Sequence, residues 1–94
     1  MSSFPAARIR SALSSKGFRL DETHHSLYWL TVAGRKRSIR TRVSHGTRDY
    51  GDNLLAQMAR QMGLRRRELD EFISCPMTYE TYVELLIERG ALEL

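Results

Sequence analysis

The sequence predicts an α+β fold: an α-β-β-β-α two-layer sandwich followed by two additional C-terminal helices. Three observations support this fold class. Apolar residues recur at helical spacing before Gly17. Residues 18–43 then contain aromatic and β-branched stretches of alternating polarity, which is typical of strands. Helical spacing returns after residue 49 and continues to about residue 89. The 94 residues are 41% hydrophobic and 28% charged, as expected of one folded domain.

Residues 4–16 are predicted to form the first helix. Ser2 or Ser3 can cap its N-terminus, Pro5 fits only the first helical turn, and Gly17 is a natural terminator. The positions that share its apolar stripe are Phe4, Ile9, Ala12, Leu13 and Lys16.

Strands are predicted over residues 18–23, 25–32 and 36–43. Ala33 and Gly34 lie where a hairpin turn is expected between the second and third strands. The third strand alternates, with one side formed by Ile39, Thr41 and Val43 and the other by Ser38, Arg40 and Arg42. The sheet should therefore offer one face to a core and one basic face to solvent.

The helix after the sheet is predicted to have Asp49 as its N-cap, Asp52 in its first turn and Gly63 at its end. Its apolar face is formed by Leu54, Leu55, Met58, Ala59 and Met62. A second, short helix spans about residues 66–73. The Cys75-Pro76 pair then interrupts the chain.

Thr78 is predicted to cap a final helix that runs to about Arg89, with Met77 and Tyr82 spaced as a hydrophobic staple. Residues 1–94 are treated as a single domain, in which 1–63 form the α-β-β-β-α core and 64–94 a helical C-terminal extension. A three-stranded meander between two helices is also the arrangement of double-stranded-RNA-binding domains, although topology alone does not determine function.

Charge is divided unevenly along the chain. Residues 1–67 carry 14 Lys and Arg against 4 Asp and Glu, a balance of +10, whereas residues 68–94 carry one Arg against 7 acids, a balance of −6. The basic portion suggests a polyanionic partner, for which nucleic acid is the commonest candidate. The acidic portion is interpreted as a solvated helical face; folding back onto the basic region is the alternative.

No apolar run approaches the roughly 20 residues needed to cross a bilayer, so no membrane partner is expected. Arg8 and Arg10 interrupt the apolar N-terminal stretch, which lacks the pattern of a signal peptide. Cys75 is the only cysteine, so no internal disulfide can form, and a cytoplasmic location is expected.

The three histidines, His24, His25 and His45, stand at the two ends of residues 23–46. Imidazole can take the proton of a ribose 2′-hydroxyl and protonate a departing 5′-oxygen, because its unperturbed pKa of about 6.5 keeps both protonation states available. The alternative is that His24 and His25 are partly exposed polar residues at a strand entrance. Spacing alone favours this second interpretation.

The candidate phosphate-binding residues are the cations between those histidines: Arg35, Lys36, Arg37, Arg40 and Arg42. Such a run is often simply solvated, and phosphate contacts carry little sequence information. Tyr28 and Trp29 can stack on bases, with core packing expected for at least one of them. The second basic cluster, residues 65–67, is interpreted as helix surface.

No metal or other cofactor is expected. Three histidines and the distant Cys75 do not form a recognised zinc spacing. Adjacent residues of a strand, as His24 and His25 would be, point to opposite faces.

Two segments, KGFRLDETHHSLYW and GRKRSIRTRVSHG, resemble the HicA toxin family of messenger-RNA interferases. A group of uncharacterised HicA-like prokaryotic proteins is more similar still, over most of residues 9–92. The shared pieces are His25-Ser26-Leu27-Tyr28, Gly34, Ser44-His45-Gly46, Met58-Ala59-Arg60-Gln61 and Cys75-Pro76.

The resemblance implies a double-stranded-RNA-binding-domain fold and metal-independent RNA cleavage by a histidine that opens the second strand. That role falls on His25, with His24 as the neighbouring alternative, and His45 matches the second histidine of the family. A HicB-like antitoxin would cover the basic sheet. The leading alternative function is a non-catalytic nucleic-acid-binding module, and a third is an adaptor for an acidic protein.

Overall fold

The computed structural model describes residues 3–21, 26–44, 46–74 and 76–92. Its helices and strands, in chain order, are β1 (Phe4–Pro5), α1 (Ala6–Ser15), β2 (Phe18–Asp21), β3 (Ser26–Val32), β4 (Arg35–Val43), β5 (Asp49–Tyr50), α2 (Asp52–Met62), α3 (Arg66–Ser74) and α4 (Tyr79–Glu88). The predicted α+β class is confirmed, and the arrangement is compatible with an α+β sandwich.

The main sheet is antiparallel with the strand order β2-β3-β4. Ala33 and Gly34 join β3 to β4 with φ of 55° and 78°. Positive φ at both central residues matches the twist of a hairpin, which confirms the predicted turn. Further along, Trp29 is opposite Arg40 while Thr31 is opposite Lys36, so the register shifts within β4.

The N-terminal segment differs from the prediction. Phe4–Pro5 form a short strand that pairs with Asp49–Tyr50, and the helix begins only at Ala6, whose N–H donates to Arg48 O at 2.8 Å. Asp49 is therefore part of a strand, and Gly51 is the N-cap of α2. The predicted Asp49 cap and the serine cap of the first helix are both wrong, because the pairing of two segments 40 or more residues apart has no local sequence signal.

Helices cover one face of the sheet. The alternate residues Tyr28, Leu30, Ile39 and Val43 are buried, and so are the apolar faces of α1 and α2. α1 packs on β2, α2 packs on β4, and α3 contacts both helices. Residues from all four helices belong to one continuous hydrophobic core. The opposite face of the sheet is left outside this core.

Three aromatic rings connect the sheet to the last two helices. Phe18, Phe72 and Tyr82 lie with ring centroids 5.1 to 6.0 Å apart, at the distances of favourable aromatic pairs. The hydroxyl of Tyr82 donates to Met62 O at 2.7 Å. Burial raises the pKa of this phenol, so it stays neutral and remains a donor.

Gly17 is required at the turn between α1 and β2 for two reasons. Its φ is 86°, and a Cβ there would lie 2.2 Å from Cε1 of Tyr79. The Tyr79 hydroxyl crosses the turn and donates to Thr31 O at 2.7 Å. The predicted helix terminator thus also forms the surface on which α4 is seated.

Lys16 is buried although it is charged. Its ammonium donates to Phe72 O at 2.5 Å and to Met77 O at 2.7 Å, and lies 5.0 Å from the Phe72 ring centroid. Phe72 O would normally accept from the backbone N–H four residues later, but that residue is Pro76, which has none. Lys16 therefore supplies the donor that the end of α3 lacks.

An ion pair between Glu68 and Arg89 joins the start of α3 to the end of α4. Glu68 accepts from the N–H of Arg65 at 2.7 Å, and its two oxygens accept from Arg89 at 2.8 and 2.5 Å. These bonds, that to Arg89 first, lower the pKa of Glu68 from 4.5 to about 2.

The acidic residues of the outer helical face, Glu80, Glu84 and Glu88, are exposed, as the interpretation of a solvated face predicts.

The Thr78 cap is confirmed, since its hydroxyl accepts from Thr81 N–H at 3.1 Å. Leu54 belongs to the apolar face predicted for the helix after the sheet, but it is 39% exposed. None of the helices in the described ranges is long and apolar enough to cross a membrane.

Replacing Lys16 with Met should destabilise the protein by about 2 to 4 kcal/mol, because two buried carbonyls lose their donor. Chemical denaturation measures this change. Arg48→Met removes an exposed cation and is the matched control, with an expected change of about 0.5 kcal/mol or less. Equal stability of the two variants would contradict the role of Lys16.

Replacing Glu68 with Gln should cost about 1 to 2 kcal/mol near pH 7. The folded-state pKa is lowered, so the stabilisation is complete above the unfolded value of 4.5 and disappears as pH falls towards 2. The denaturation midpoint of Glu68→Gln should therefore lie below that of the wild type at pH 7, and the two midpoints should converge as the pH is lowered to 2. Glu71→Gln, at an exposed site on α3, should stay at wild-type stability throughout.

Candidate nucleic-acid interface

The uncovered face of the sheet carries a row of three side chains. Arg19 of β2 is opposite Trp29 of β3, which is opposite Arg40 of β4. The next row is formed by Asp21, Leu27 and Arg42 in the same strand order. Alternation along each strand places these side chains away from the core. We call the outward-facing residues of β2, β3 and β4 the basic face.

Trp29 is flanked by cations. Lys36 Nζ lies 5.0 Å and Arg40 Cζ 5.1 Å from the centroid of its ring, within the range of cation–π attraction. The register shift in β4 makes this possible, because it brings Lys36 close to the strand position of Trp29. Within the described ranges the buried indole N–H of Trp29 has no acceptor. Tyr28, by contrast, is a core residue, so the expectation that one of the two aromatics is core is met.

The predicted phosphate-binding cations do not all lie on one patch. Arg40 and Arg42 are exposed and share the basic face. Lys36 is exposed beside them and forms an ion pair with Asp21 at 3.9 Å. Arg35 is exposed next to the hairpin turn, opposite Val32. Arg37 is half-buried in the irregular part of β4.

The catalytic candidates His25 and His45 lie outside the described residues, as do His24 and Cys75. Their described neighbours are connected by one arginine of α1. Arg10 donates from Nη1 to Ser26 Oγ and from Nη2 to Ser44 O, each at 3.4 Å. Ser44 N–H in turn donates to the Tyr50 hydroxyl at 2.7 Å. One guanidinium therefore joins the start of β3 to the end of β4.

A groove of about 530 Å³ runs along β4 at the side of α2. Its lining is formed by Leu27, Ser38, Arg40, Thr41, Arg42, Ser44, Tyr50, Leu54, Gln57, Met58 and Gln61. This size is within the range of small-molecule sites. Arg40 and Arg42 belong to both the groove and the basic face, so the two surfaces are continuous.

Sequence reasoning missed several of these residues. Arg10 and Arg19 are isolated cations in their segments, and only the strand register and helix packing bring them to the sheet. Gln57 and Gln61 are one helical turn apart on α2, and this spacing puts both on one face of the helix without indicating which element that face adjoins. Thr41 lies on the same side of β4 as the core residues Ile39 and Val43, so its position in the sequence did not indicate a hydrogen bond to Gln61.

The second basic cluster is divided between solvent and structure. Arg65 and Arg67 are exposed, whereas Arg66 forms ion pairs with Asp70 and, at 3.4 Å, with Asp52. These pairs connect the start of α3 to the start of α2. The cluster is thus helix surface, as predicted.

No known protein family, curated protein or solved structure significantly matches this chain. Within the described ranges, no three His, Cys, Asp or Glu side chains are grouped so that they could hold a metal ion.

Proposed function

We propose that this protein binds RNA through the basic face, and that its α-β-β-β-α core is of the double-stranded-RNA-binding-domain type. The observation that carries the proposal is the outward-facing row of exposed Arg19, half-buried Trp29 and exposed Arg40, with Lys36 and Arg42 beside it. The cations suit phosphates, and an indole flanked by cations suits bases or sugars.

The HicA resemblance is consistent with this choice of ligand, because messenger RNA is the substrate of that family. An acidic protein is the competing polyanion. RNA is favoured because the cations are interleaved with an aromatic ring, which a charge-only partner would not use.

A second candidate function is RNA cleavage by His25, as part of a toxin that a HicB-like antitoxin neutralises. Apart from the resemblance, the observation in its favour is Arg10, which binds Ser26 and Ser44. These residues are the immediate neighbours of His25 and His45 in the sequence. A guanidinium there would offset the negative charge that builds on a reacting phosphate.

The Arg40→Ala, Arg42→Ala double variant should bind a single-stranded RNA oligonucleotide more weakly and with a shallower salt dependence. The slope of log K against log salt should fall by about 0.7 for each lost phosphate contact. Fluorescence anisotropy of labelled RNA measures both quantities. The matched control is Arg65→Ala, Arg67→Ala, which changes net charge equally at exposed sites of the second basic cluster. Equal losses in the two double variants would contradict a defined basic face.

His25→Ala should lower the rate of RNA cleavage roughly a hundredfold or more. Its affinity for RNA should stay within about twofold of that of the wild type. Gel analysis of RNA cleavage with and without a chelator measures the activity and its independence of metal. Growth arrest on expression should likewise be relieved. His24→Ala is the neighbouring control and should retain cleavage. A wild-type protein that neither cleaves RNA nor arrests growth would eliminate this second candidate and leave the binding function in place.

A further inference from the structure

The groove between β4 and α2 differs in chemistry from the basic face that it adjoins. The β4 wall contributes the cations Arg40 and Arg42, whereas the α2 wall is neutral and contributes Leu54, Gln57, Met58 and Gln61. Among the described residues, no carboxylate lines the groove. An anionic chain can therefore approach along β4 without meeting like charge.

The α2 wall contains amides at the spacing of one helical turn. Gln57 is exposed, and within the described ranges its side chain meets no hydrogen-bond partner. Gln61 Oε1 accepts from the buried hydroxyl of Thr41 at 2.7 Å. This bond orients the amide and does not use its NH2 group. A primary amide both donates and accepts, as needed to recognise the edge of a nucleobase.

The groove also has an apolar part, which includes the exposed side chain of Leu54. Leu54 is 39% exposed although it belongs to the apolar stripe of α2, and it faces the groove together with half-buried Leu27. An apolar surface beside two amides suits the face of a base, while the cations of β4 suit its phosphate.

We propose that the groove holds one unstacked base of a single-stranded RNA whose phosphates lie along Arg40 and Arg42, and that Gln57 and Gln61 recognise the edge of that base. This inference rests on the proposed RNA-binding function and adds the class of RNA. A base can enter the groove only if it has left the stack and is unpaired, which a regular duplex does not allow. Stacking on Trp29 of the basic face would also favour unpaired bases, so the contribution of the groove itself is the part of the affinity that depends on Gln57.

The test compares three labelled RNA probes of equal length: a single strand, a perfect duplex, and a single strand with several abasic sites. Wild-type protein should bind the base-bearing single strand roughly tenfold or more tightly than the other two. Gln57→Ala should weaken binding to the base-bearing strand by roughly fivefold to tenfold and leave binding to the abasic strand unchanged. Fluorescence anisotropy at one fixed salt concentration measures all affinities.

Asn53→Ala is the matched control, because Asn53 is an exposed amide of α2 that does not line the groove. It should match wild type on every probe, and thermal unfolding should show both variants folded. If wild type binds the three probes equally, or Gln57→Ala binds as wild type does, the base-holding groove is overturned while RNA binding by the basic face stands. If no probe binds at low salt, the proposed function fails, and this inference with it.

Discussion

The sheet of β2, β3 and β4 has two faces, and the helices cover one of them. Tyr28, Leu30 and Val43 are buried on the covered face, and their burial contributes to the hydrophobic stabilisation of the core. Because strand side chains alternate, the same burial forces Trp29, Arg40 and Arg42 to the opposite side. The alternation that places one set of strand residues in the core therefore also places the other set on the basic face.

Two polar contacts decide how the C-terminal helices close this core. Lys16 reaches from the end of α1 to the end of α3 because Pro76 leaves Phe72 O without a backbone donor. Tyr79 reaches from α4 across Gly17 to Thr31 O. The Tyr79 contact ends on β3, so α4 supports a strand that carries the basic face.

The placement of α2 has a consequence for binding. It packs on β4, and its buried residues include Leu55, Met58 and Met62. The exposed residues Leu54, Gln57 and Gln61 of the same helix leave a groove beside the strand. The resulting groove shares Arg40 and Arg42 with the basic face. The basic face and a recess that contains two amides thus meet at β4, and the proposed RNA site is based on this arrangement.

The sequence by itself determined the features that repeat along the chain or are fixed within a few residues. Alternation in β4, the Ala33-Gly34 turn and the Thr78 cap are local, because each depends on backbone geometry over one to four residues. Only the tertiary structure decided what joins distant segments: the pairing of Phe4 with Tyr50, the partners of Lys16 56 and 61 residues away, and the groove beside Gln57. Those contacts depend on how helices dock on the sheet, and the spacing of residues along one element records which face is buried but not what that face meets.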